Sequence, residues 1–99
     1  MKVDRRVILD QIGFWNVGAI SGGRVQASEN GVILPVGYGY RVEVQLASDD
    51  TYTVKRVYQK AALVKVWSVE GVYCENVGEV AYQASLFRSN KEFGQKVAA

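Results

Sequence analysis

The chain contains no histidine. That absence removes the commonest general base, the commonest zinc ligand and the usual switch near neutral pH. A single cysteine, Cys74, has no partner for an internal disulfide, which suits a reducing compartment. No apolar run approaches the roughly 20 residues that a membrane span needs. The opening MKVDRR leads into an acidic, interrupted segment, which reads against a signal peptide. Together these features give a cytoplasmic expectation. There is also little charge imbalance: 12 basic against 10 acidic residues leave a net +2. A balanced total is no pointer to nucleic acid, although a local basic patch can sit inside it.

What remains, 99 residues at 48% hydrophobic, is enough for one modest core without disulfide or metal. The most legible stretch runs from Tyr40 to Tyr58. Tyr40, Val42, Val44 and Leu46 alternate with Arg41, Glu43 and Gln45, a period of two that places the two sets on opposite faces of a strand. Turn chemistry at Ser48, Asp49 and Asp50 precedes a second alternating run, so the pair reads as an antiparallel hairpin. With Ala47 to Thr51 as its loop, Leu46 faces Tyr52, Val44 faces Val54 and Glu43 faces Lys55. Arg56 breaks the pattern by falling on the apolar face. Either a bulge at Lys55-Arg56 swings it out, or it lies at a sheet end and snorkels to water.

Other segments follow from the same arguments. Val3 to Gly13 predicts a short helix, with Asp4 as its cap, Val3 and Ile8 as a hydrophobic staple, and Gly13 as its stop. Phe14 to Ile20 is apolar throughout and is read as a buried strand before a Ser21-Gly22-Gly23 turn. Arg24 to Glu29 and Val32 to Val36 flank Asn30-Gly31, a strong hairpin signal that would set Ala27 opposite Leu34 and Val25 opposite Val36. Pro35 cannot donate to a ladder, so it belongs on an edge or at a strand end. Leu63 to Val72 is a strand with apolar residues on both parities. From about Cys74 to Arg88 the period turns helical, through Val77, Val80, Ala81, Ala84 and Phe87, with a penalty at Gly78. The expectation is one α+β domain over residues 1–90. It has a short N-terminal helix, an antiparallel meander of four to five strands and a C-terminal amphipathic helix on the sheet. A polar tail, 91–99, follows with Phe93 as its only anchor.

The order of these pieces resembles a family of small uncharacterised proteins of bacteriophages and prophages. The resemblance rests on Ile8-Leu9-Asp10-Gln11-Ile12-Gly13, Val17-Gly18-Ala19-Ile20-Ser21-Gly22, Leu34-Pro35, Val42-Glu43-Val44-Gln45-Leu46 and Val72-Tyr73. Its most specific block is Asp50-Thr51-Tyr52-Thr53-Val54. Family members often carry Gly-Gly and basic residues where this chain has Gly13-Phe14-Trp15-Asn16. The resemblance implies a helix–sheet–helix layout and a viral or prophage setting, and it carries no activity.

No catalytic constellation stands out. The glycines of Gly18 to Gly23 lack the Lys and Ser/Thr that a phosphate loop needs, since Arg24 and Val25 follow. Asp49-Asp50 has too few oxygen donors for a cation, and Cys74 has no activating base and reads as a half-buried residue at a helix start. Glu75 and Glu79, four apart on one helical face, read as charged surface. No cofactor or metal is expected, and the protein is read as non-enzymatic. Phe14 and Trp15 suit either core burial or, exposed with Tyr38 and Tyr40, a protein-binding hot spot. The leading expectation is an accessory protein that binds a host or viral protein, with homodimer formation open. The alternative is a nucleic-acid-binding sheet face built from Arg41, Lys55, Arg56, Tyr58, Lys60, Lys65 and Trp67.

Overall fold

The computed structural model describes residues 4–97. Helices α1 (Arg5–Ile12) and α2 (Phe14–Ser21) are followed by strands β1 (Gln26–Ala27), β2 (Gly31–Gly37), β3 (Tyr40–Leu46), β4 (Tyr52–Lys60) and β5 (Leu63–Val72). Helix α3 (Val77–Ser85) and strand β6 (Gln95–Val97) complete the order. The strands form one antiparallel sheet in strict chain order, β1 to β6. This is the expected α+β class, with helices flanking an antiparallel sheet. All three helices contribute to one core, where Ile8, Ile12, Ile20, Val77, Ala81 and Ala84 meet Val32, Leu34, Val42, Val44 and Val54. The opposite sheet face, bearing Arg41, Glu43, Lys55 and Val57, carries no helix among the described residues.

The main hairpin has the expected register: Leu46 opposite Tyr52, Val44 opposite Val54, Glu43 opposite Lys55. The Glu43 carboxylate nevertheless pairs with Arg41, 2.7 Å away on its own strand, where the guanidinium also reaches Gln59. The bulge anticipated at Lys55-Arg56 is absent. It lies instead across β4–β5, where Tyr52 pairs with Val72 but Val54 with Val69. Gly71, at φ +67°, takes up the extra residue. That insertion accounts for Val72 among the apolar residues of mixed parity in β5, because it returns Val72 to the same buried cluster as Val69 and Trp67.

Helix α1 starts as expected, with the Asp4 side chain accepting from the Arg6 amide; Val3, the staple partner, lies outside the described residues. The first hairpin is shifted by two residues, with Ala27 opposite Val32 and Gln26 opposite Ile33. The Ser28 amide bonds to the Gly31 carbonyl, so Glu29-Asn30 is the turn. Gly31 is needed inside β2 instead, because a Cβ there would lie 1.9 Å from the Val44 carbonyl oxygen. Pro35 sits opposite Arg41 beyond the end of β1, beside an irregularity at Val36, where no amide is required on its outer edge.

Helix α3 is shorter than its periodicity suggested. Cys74 and Glu75 precede it, both exposed, so Glu75 and Glu79 do not share a helical face. Gly78 is buried where a Cβ would meet the Ile12 carbonyl oxygen at 2.3 Å, which makes it the point of closest helix approach. The tail is more ordered than expected. Phe93 joins the core, and Gln95–Val97 pair with β5 as a sixth strand.

Candidate interaction sites

Gly13 decides how α2 is presented. Its φ of +97° suits glycine, and its amide bonds to the Leu9 carbonyl while its own carbonyl accepts from Val17. One residue thus ends α1 and begins α2 with a sharp change of direction. The segment from Phe14 onward is therefore helical, and the strand expected there is overturned. Helical spacing turns Val17, Ile20 and Ser21 toward the core. Phe14, Trp15, Gly18 and Ala19 occupy the outer face.

Helix α2 is consequently apolar on both faces, with Val17 and Ile20 inside. Its two polar side chains bond inward or along the chain. Asn16 Nδ2 donates to the Ile12 carbonyl at 2.8 Å, and Ser21 Oγ donates to the Arg24 and Val17 carbonyls at 2.6 and 3.2 Å. Its outer face is wholly apolar. Phe14 and Trp15 are 82% and 84% exposed and pack edge to face, ring centroids 5.5 Å apart. Beside them runs a groove of about 460 Å³, lined by Leu9, Asp10, Phe14, Val17 and Val25. Core burial of this aromatic pair, the commoner fate of such residues, is excluded.

Tyr38 and Tyr40 form a separate cluster, and no contact joins them to Phe14 or Trp15. Tyr38 and Gly39 both have positive φ, 55° and 86°, as the two central residues of a type I′ turn require. A left-handed conformation costs a non-glycine residue about 1–2 kcal/mol. Tyr38 is nonetheless 80% exposed, its ring beneath Arg88 at 4.7 Å. Tyr40 stacks on Phe87 at 4.0 Å, nearly parallel, and also touches Tyr58. Phe87, expected inside the helix, thus lies beyond its end as an aromatic wall behind Tyr38.

The seven residues of the candidate nucleic-acid face do not share a face. Arg41 and Lys55 lie on the helix-free side, whereas Arg56, Tyr58, Lys60, Lys65 and Trp67 lie on the other. Arg56 neither swings out nor snorkels. It is 2% exposed, with Nε donating to the Ala84 carbonyl at 2.7 Å and an Nη to the Asn90 and Gln83 carbonyls at 2.7 and 3.2 Å. Phe93 lies against the guanidinium. Burial holds the Arg56 pKa below the usual arginine value, but the group remains a cation at neutral pH. It serves as a C-terminal cap for α3, and no short-range sequence signal marks that role, because its partners are 27 to 34 residues away.

The remaining candidates sit in turns. Asp49 accepts from the amide and hydroxyl of Thr51 at 3.1 and 2.6 Å, bonds that lower its pKa. Gly22 closes α2 in a left-handed conformation and Gly23 follows it, so this glycine run serves a helix end, with Gly18 inside the helix. Among the described residues no cluster of three or more carboxylate, cysteine or histidine side chains could hold a metal ion. No protein-family model, curated protein or solved structure matches this chain.

Proposed function

We propose that the protein acts by binding another protein through the outer face of α2. The observation that carries this reading is the apolar outer face of α2: its polar side chains are spent on backbone carbonyls, and an exposed aromatic pair lies beside an apolar groove. Water meets this surface unfavourably, at roughly 25 cal/mol per Å² of apolar area. Tryptophan and other aromatics are also the residues that dominate interface energies when buried by a partner. Asp10 at the groove rim supplies one charge by which a partner can be oriented. The family resemblance would make that partner a viral or host protein.

The test compares the wild type with Phe14→Ser/Trp15→Ser. Neither side chain supports the core, so the double variant keeps its melting temperature to within what about 0.5 kcal/mol would shift. Proteins crosslinked to the wild type in a bacterial lysate and lost with the variant support the reading. An identical set recovered with both proteins overturns it. Sedimentation over a wide concentration range then separates a foreign partner from a second copy, since a homodimer through this face dissociates in the variant.

A further inference from the structure

We propose that the end of the sheet holding Tyr38, Lys60 and Lys65 is a second site, independent of α2, and that it binds single-stranded nucleic acid. The meander brings the 38–39 turn and the 61–62 turn to one end of the strands and sends the Asp49-Asp50 turn to the other. The segments that form the first end are residues 36–42, 56–66 and 86–91. None contains an aspartate or glutamate. Lys60, Lys65 and Arg88 are all exposed there. Arg56, two positions along β4 from Tyr58 on the same face, adds a buried charge that no carboxylate neutralises. Arg41, on the other face, is paired with Glu43, but Lys60, Lys65 and Arg88 have no carboxylate partner among the described residues, so the chain's small total charge hides a locally positive end.

Aromatic rings are built into the same end. Arg88 lies over Tyr38 and Phe87, at 4.7 and 5.5 Å from their ring centres. Tyr40 continues the row from Phe87 to Tyr58, and Tyr58 is paired across the strands with Lys65. A shallow cleft of about 370 Å³ joins Tyr38, Tyr58 and Lys60. Gly39 forms its floor, because a Cβ there would come within 3.0 Å of the Gln59 carbonyl and the Tyr58 ring.

Tyr38 makes the ligand class specific. It is a flat, protruding side chain held in a left-handed conformation that asparagine or glycine would adopt more easily. An acidic peptide would be served by the cations alone. A base needs a ring face to stack on and a cation nearby for its phosphate, which is the combination here. Duplex bases are already stacked and offer no such face.

The measurement is fluorescence anisotropy with a labelled thymidine oligomer of about 12 nucleotides. Binding is expected at about 50 mM salt, and three phosphate contacts would weaken it roughly 20-fold by about 200 mM. Tyr38→Gly relieves the backbone and removes the ring. It should melt no lower than wild type and bind roughly tenfold or more weakly. Lys60→Glu/Lys65→Glu/Arg88→Glu should lose binding, whereas Phe14→Ser/Trp15→Ser should keep it, which separates this site from the α2 reading. No binding at low salt overturns the proposal. So does equal affinity for a duplex, preference for polyglutamate, or a Tyr38→Gly variant that binds like wild type.

Discussion

Arg56 shows how one side chain can tie distant parts of this chain together. Placed on the apolar face by its parity, it stays there because three backbone carbonyls at and beyond the end of α3 receive its guanidinium. Arg56→Ala should lower stability by roughly 1–3 kcal/mol in urea unfolding, the scale of leaving buried carbonyl acceptors without their donor. Arg56→Lys keeps the charge but loses the fork, and should recover only part of that. Tyr52 makes a second residue-level case. It is buried, its hydroxyl bonds to Gln11, and burial, followed by the nearby Cys74 and Asp50, pushes its pKa up. A phenol whose folded pKa is raised stabilises fully below its unfolded value of about 10, and that stability is lost as pH rises through the folded value. Melting temperature should therefore fall on alkaline titration above about pH 10, and less steeply in Tyr52→Phe.

At the level of elements, the glycines separate two opposite effects. Gly18 lies mid-helix in α2 with open space where a Cβ would be, so Gly18→Ala should stabilise by about 0.4–1 kcal/mol. Gly78→Ala should destabilise by roughly 1–3 kcal/mol, because α1 and α3 must part to admit the methyl group. Thermal unfolding of the two variants reads both signs. The same contrast explains which elements were legible. The β3–β4 hairpin, with one face wet and one dry, writes its register into alternating residues. Helix α2 writes nothing comparable, because an apolar outer face erases the helical period that an ordinary surface helix displays. The Asn-Gly signal points two residues from the real register because Gly31 meets a different need, the close approach of the Val44 carbonyl inside β2. Strand β6 is three residues long and leaves no periodic signal at all.

For the whole molecule, the helix–sheet layout was readable, whereas the two candidate sites were only partly so. Phe14, Trp15, Tyr38, Tyr40, Tyr58, Lys60 and Lys65 appear among the sequence candidates, but sorted differently, whereas Phe87 and Arg88 do not. Tyr38 and Tyr40 belong with Lys60 and Lys65, and Phe14 and Trp15 stand apart. Grouping them needed the meander, which decides which turns share an end, and the helical form of α2, which decides what faces water. The two sites are carried by different elements, so the surface variants described above should act independently of one another.

The strict chain order of the sheet also bears on how the protein folds. Every strand pairs with its immediate predecessor, so β1 to β5 can grow hairpin by hairpin with only short loops to close, a topology that favours speed, while β6 joins across residues 73–94, which hold α3. The helices are the exception. The contact between Ile12 and Gly78 joins segments from opposite ends of the sequence, and its loop-closure entropy is offset only once the intervening strands have shortened the path. Docking of α1 and α2 onto α3 is therefore the late event in folding. Mutations at that seam, such as Gly78→Ala, should quicken unfolding and leave the refolding rate nearly unchanged, as stopped-flow measurements would show.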